Sequence, residues 1–283
     1  MKRILYIILA AFVLTLVPAA YASAQRPTKP RTLPRRQTNK KWQWQGSYSE
    51  GLAPVRNADN KCGYIDETGK LVIPCQWKVA NWFNEGLAAV EGDNWKYGFI
   101  DKTGTVVIPC QWQDVRYFRE GLAPVRDANL KWGFIDTTGK LVCPCRWKAA
   151  EPFCEGLARV QNDNKQYGFI DKTGEAVIPC KWKWAGSFSE GLTKVENANG
   201  KYGFIDQTGK VVIPCKWNYV WSFSEGLAVV KDSNTKHGYI DKTGTVVIPC
   251  QWDFALDFEN GRAKIMDADG KYHYIDKTGK IVE

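Results

Sequence analysis

The chain has 283 residues, 44% hydrophobic and 24% charged, with 39 basic against 30 acidic side chains and a formal charge of +9. So much apolar content excludes a chain that is disordered throughout. The basic surplus sits at one end: Lys2, Arg3 and seven Lys or Arg between residues 25 and 41 carry all of it, so residues 42–283 hold 30 basic and 30 acidic residues. A neutral body excludes a nucleic-acid groove, which needs Lys and Arg clustered on the folded surface.

Residues 1–24 read as a secretory signal peptide. Met1-Lys2-Arg3 is a positive head, Ile4 to Val17 an apolar middle, and Ala22-Ser23-Ala24 a small-x-small end that predicts cleavage after Ala24. The apolar run is shorter than the roughly 20 residues of a spanning helix, so membrane contact is expected only through an uncleaved leader. The mature chain is expected to be secreted or periplasmic. Residues 25–41 interleave Pro27, Pro30 and Pro34 with seven basic residues and no acidic one. That composition predicts an extended, solvated linker with at most weak attraction to anionic surfaces.

From residue 42 to 283 one 35-residue unit recurs seven times without a slip. A Pro-Cys-x-Trp step places tryptophans at Trp77, Trp112, Trp147, Trp182, Trp217 and Trp252, with Trp42 in the same phase, and cysteines at Cys75, Cys110, Cys145, Cys180, Cys215 and Cys250. A Glu-Gly-Leu step recurs from Glu50 to Glu225, and a glycine recurs from Gly63 to Gly238, replaced in the last unit by His273. Fixed periods of this length mark repeat architectures, in which each unit buries its apolar faces on its neighbours. Within the unit at 49–83, Leu52 to Arg56, Lys61 to Asp66 and Lys70 to Trp77 read as three strands of an antiparallel meander, joined by a turn at Asn57–Asn60 and a tight Asp-x-Thr-Gly hairpin. The third strand predicts Leu71, Ile73, Cys75 and Trp77 on one face and Val72, Pro74 and Gln76 on the other. With apolar groups on both faces it is expected to lie between two layers, and its proline to mark a sheet edge or the end of pairing.

Lys131-Trp132-Gly133-Phe134-Ile135-Asp136, followed by Thr138-Gly139-Lys140 and the Glu-Gly-Leu step, resembles the bacterial WG-repeat family over residues 42–283. The tryptophan of the Trp-Gly pair stands only at Trp132; Cys62, Tyr97, Tyr167, Tyr202, His237 and Tyr272 replace it elsewhere. The resemblance implies an all-β repeat module and no catalytic residues. Two all-β architectures suit seven meanders: a closed, propeller-like ring and an open β-superhelix. Thirty-five residues are tight for a four-stranded blade, but seven nearly complete periods and two-faced strands tip the reading to the ring.

Each repeated residue has a structural reading. The phased cysteines recur too far apart for mutual disulfides and for a zinc site, and read as small buried apolar groups. The phased tryptophans read as core. Asp66 and its equivalents to Asp276 read as turn caps rather than paired catalytic carboxylates. Asp267-Ala268-Asp269-Gly270 lacks the closing Glu of a calcium loop. Trp95, in a turn, and Trp132 are the candidate ligand contacts. Neither cofactor nor metal nor catalytic set is expected. The leading function is a non-enzymatic scaffold for a protein partner. The alternative is a binder of cell-envelope glycan through exposed aromatics.

Overall fold

The computed structural model describes residues 42–282; the leader at 1–24 and the tail at 25–41 lie outside the described residues. Every element described is a strand, and the strands form seven four-stranded antiparallel sheets in strict chain order. The first sheet is β1 (Trp44–Gln45), β2 (Leu52–Arg56), β3 (Cys62–Asp66) and β4 (Leu71–Trp77). The second is β5 (Val79–Asn84), β6 (Leu87–Glu91), β7 (Tyr97–Asp101) and β8 (Val106–Trp112). The remaining five repeat the pattern to β28 (Ile281–Val282).

Three strands were expected per unit and four are present. The extra strand is two residues long in every sheet but the second, which is how four strands fit into 35 residues. One residue, Lys78, separates β4 from β5, and its N–H already bonds Glu91 of the next sheet at 2.9 Å. The chain therefore passes between sheets with almost no connecting loop.

The long outer strand corrects the two-layer expectation. Only Ile73 of β4 is buried; Leu71 and Val72 are exposed, and Val106, Val107, Val211, Val246 and Val247 are exposed likewise. β4 is a sheet edge. Its pairing runs Trp77 to Cys62 and then Ile73 to Tyr64, so four residues on one strand span two on the other. This bulge breaks the alternation of faces. Ile73 and Trp77 join the cluster shared with the second sheet, whereas Cys75 packs on the opposite side with Ala53, Val55 and Ile65.

The same bulge explains the repeated glycine. A Cβ on Gly63 would lie 2.4 Å from the carbonyl oxygen of Ile73, and one on Gly203 would lie 2.3 Å from that of Ile213. The arched strand leaves no room for a side chain. In the last unit β28 is two residues long and, among the described residues, no arch crosses the site of His273.

The core is a series of clusters shared by neighbouring sheets. Leu52, Tyr64 and Ile73 of the first meet Ala80, Phe83, Ala88, Val90 and Ile100 of the second, and the pattern repeats through six junctions. At each junction one ring from either sheet forms a tilted or edge-on pair, such as Phe134 and Phe153 with centroids 5.1 Å apart. At each of the six, the third strand of one sheet also approaches the first strand of the next. Among the described residues no core cluster joins the sheet of β27 (Tyr272–Asp276) to the first sheet. The outer side of the last sheet carries exposed Arg262 and Tyr274 where inner sheets carry buried Leu87 and Phe99. The closing seventh junction that a ring requires is not found among the described residues.

Candidate functional site: the hairpin tips

The repeated acidic residues are committed to structure. Asp66 Oδ1 accepts from the Thr68 N–H at 2.9 Å, the Thr68 hydroxyl at 2.6 Å and the Lys70 N–H at 3.0 Å. Asp101, Asp136, Asp171, Asp206, Asp241 and Asp276 make the same set. The threonine hydroxyl is the main cause holding each carboxyl below its ordinary range. Asp267 caps the turn at 267–271 through Asp269 and Lys271 rather than opening a cation loop.

The glutamates of the Glu-Gly-Leu step have a role that sequence reasoning missed. Glu50 accepts from the N–H of Gly86, one unit ahead, at 3.1 Å, and pairs with Lys102 of that unit at 3.0 Å. Glu85 takes two N–H groups, of Glu120 at 2.6 Å and Gly121 at 2.8 Å. Glu120, Glu155, Glu190 and Glu225 each reach the next unit in the same way. The repeated acid is a clasp between units; its spacing to a glycine 36 residues on was visible, but the pairing needed the stacking to be known.

All nine cysteines are free thiols. The six phased ones are half-buried, and desolvation pushes their thiols up, Cys145 and Cys250 to about 11. Of the phased tryptophans, Trp182 and Trp217 are buried and Trp42, Trp77, Trp112, Trp147 and Trp252 half-buried. They form no exposed ladder. His237 is buried, which lowers its pKa, and His273 Nε2 pairs with Asp267 at 2.8 Å. Among the described residues no group of three His, Cys, Asp or Glu is placed to hold a metal.

The two candidate contacts separate. Trp132 is buried at 7%, flanked by the guanidinium groups of Arg116 and Arg126 at 5.4 and 5.6 Å from its ring, and is corrected to a core residue. Its place in a strand under the arched edge hides it. Trp95 is 68% exposed at the tip of the β6–β7 hairpin. Lys78 Nζ lies 3.2 Å from the ring centroid and donates to the Asp93 carbonyl at 3.0 Å, and Asp93 pairs with Lys61 of the preceding hairpin at 2.5 Å.

The tip has a backbone demand. The fourth turn residue is left-handed in every unit: Asn60, Trp95, Leu130, Lys165, Gly200, Thr235 and Gly270 all have φ between 59° and 77°. Glycine and asparagine suit that position; a bulky side chain there costs about 1–2 kcal/mol. The second and third units place Trp95 and Leu130 at it, with Leu130 60% exposed. Two exposed apolar residues thus stand at equivalent tips of adjacent sheets, in a conformation that the fold would fill better with glycine.

Six matches to the WG-containing repeat cover residues 63–94, 97–130, 132–165, 167–202, 202–235 and 238–272. The chain is a WG-repeat protein. No curated protein sequence matches it. Among solved structures, the WG-repeat chain is similar to a eukaryotic initiation factor at 14% identity, covering 84% of this chain and 73% of that one, with a TM-score of 0.55. It is also similar to the computationally designed Ika8 protein (13% identity, 84% of each chain, TM-score 0.46) and to the WD40 β-propeller domain of Doa1 (12% identity, 81% and 90%, TM-score 0.35). At 14% identity the likeness to the initiation factor is one of fold alone. The WG-repeat units are four-stranded antiparallel sheets.

Proposed function

We propose that this WG-repeat protein is an exported, non-enzymatic scaffold that binds a protein partner through its hairpin tips. The observation that carries the reading is the pair Trp95 and Leu130: exposed, apolar, at equivalent turns of consecutive sheets and set at left-handed positions. Strained backbone kept where a simpler residue would fold better points to a function for the side chain. Tryptophan is among the residues that dominate protein interfaces, and its seat on Lys78 holds the ring ready for contact, at small ordering cost. A non-enzymatic reading agrees with the commitment of the repeated acids, aspartates in turns and glutamates between units.

Glycan binding along a periodic ladder of tryptophans has no support, because the phased rings are half-buried or buried. The test is site-specific photo-crosslinking in the native envelope. A photoreactive residue at position 95 is expected to capture one defined protein, and the same residue at position 183, in the link between the fourth and fifth sheets, to capture none. Equal capture at both positions, or none at 95, refutes the tip as the interface.

A further inference from the structure

The second sheet departs from the repeat at its first strand. β5 runs to six residues, and its pairing shifts register between Ala80 and Phe83, which puts Asn81 and Trp82 in a bulge. Bulges re-aim side chains beside functional sites. This one is fixed from three directions: the Tyr64 hydroxyl donates to the Asn81 carbonyl at 2.6 Å, the Trp82 indole N–H to the Ser47 carbonyl at 3.0 Å, and the Asn84 amide to the Trp82 carbonyl at 3.2 Å. Held by its nitrogen, the Trp82 ring remains 43% exposed. One unit on, Tyr117 occupies the equivalent position and is 45% exposed. Other units have Ser47, Pro152, Ser187, Ser222 and Asp257 there. The aromatic pair belongs to this junction alone.

Trp82 and Tyr117 line a cavity of about 270 Å³ with Asn81, Asn84 and Arg116. The Asn81 amide and the Tyr117 hydroxyl have no hydrogen-bond partner among the described residues. Arg116 pairs with Glu151 at 3.2 Å, but Arg159 shares that carboxylate at 3.5 Å, which leaves the group with one positive charge in excess. We propose that this cavity binds an acidic pyranose, a hexuronate unit of an anionic oligosaccharide. The two flat rings offer C–H-facing platforms, the amides and the phenol read ring hydroxyls, and Arg116 receives the carboxylate. The volume lies just below the usual range for small-ligand pockets, about 300–1,000 Å³, and suits a single sugar unit. Platforms fixed before binding keep the ordering cost low. The site is independent of the hairpin tips, which stand at the other end of the strands.

Isothermal titration of the full mature chain with tetragalacturonate in 0.15 M salt tests the assignment. Saturable binding is expected, with quenching of tryptophan fluorescence. Trp82→Ala and Tyr117→Ala should each weaken it about tenfold, and Trp82→Phe should keep most of it. Arg116→Gln should remove the preference for tetragalacturonate over the neutral cellotetraose. Tyr117→Ala breaks no hydrogen bond of the fold, so it reports even where Trp82→Ala unfolds the chain. The basic tail is present in every variant, and binding that persists unchanged in Tyr117→Ala comes from charge alone and overturns the site. Absence of binding at millimolar tetragalacturonate also overturns it, as does loss of crosslinking to a protein partner in Tyr117→Ala without any sugar binding. Crosslinking through position 95 is expected to survive all of these substitutions, so failure of the sugar site and failure of the tip interface are distinguishable.

Discussion

Leu130 at φ 60° and Thr235 at φ 66° place a bulky and a β-branched side chain where Gly200 and Gly270 stand in sister units. Leu130→Gly relieves the left-handed strain but adds backbone freedom to the unfolded chain, costs that partly offset. Stability is expected to rise by about 0.5–1 kcal/mol in urea titration. Trp95→Gly should gain less, since the ring also loses its contact with Lys78. Destabilisation by Leu130→Gly would show that the side chain serves the fold. Trp95 was legible as a surface candidate because it falls in a turn. Leu130 was not, although its alignment with Gly200 and Gly270 was available as a signal. A second residue-scale outcome concerns pH. The turn aspartates are held below the usual carboxylate range by their threonine hydroxyls, so their contribution to stability is complete above the unfolded value and is lost as pH falls through the lower folded values. Acid unfolding is therefore expected below about pH 4. Thr138→Val should raise the Asp136 pKa measured by NMR; an unchanged value would remove the hydroxyl as the cause.

At the scale of the element, the junction between sheets is the unit of stability. Phe134 is fully buried and paired edge-on with Phe153 across a junction, so Phe134→Ala should cost about 3–5 kcal/mol. The clasp at Glu85 is exposed, and Glu85→Ala should cost about 1 kcal/mol, seen as a small shift in the urea midpoint. A loss from Glu85→Ala as large as that from Phe134→Ala would contradict the primacy of the apolar contacts. Strands two and three of each unit were legible because turn residues bound them closely and their apolar runs are short. The outer strand misled: its alternating apolar residues suggested a layer on each side, but the bulge at Pro74 turns Ile73 and Cys75 to opposite sides and leaves Leu71 and Val72 in solvent. Gly63 carried the clue, since an invariant spacing between that glycine and the proline reflects the arch of one strand over the other. The two-residue first strands are too short to leave any periodic signal.

At the scale of the molecule, each inner sheet among the described residues packs on the one before and the one after, and the outer side of the last carries exposed Arg262 and Tyr274. Seven units were plain from the period, but closure was not, because identical units can close or remain open, depending on small angles that no residue encodes singly. Stability in an open stack is a sum of unit and neighbour terms. Deleting residues 114–148 removes the third sheet with one link and brings Ala150, Phe153, Ala158, Val160 and Ile170 to the face that met Val115, Phe118, Ala123, Val125 and Ile135. The replacement is nearly isosteric, so the new junction should re-form. The decisive measurement is a thermal melt of this deletion protein by near-UV circular dichroism, in which the tryptophans report packing. A soluble, cooperative protein that melts within a few degrees of the parent is the predicted result. Loss of the near-UV signal, or a collapse of the melting temperature, would contradict neighbour-only packing and require a closed ring.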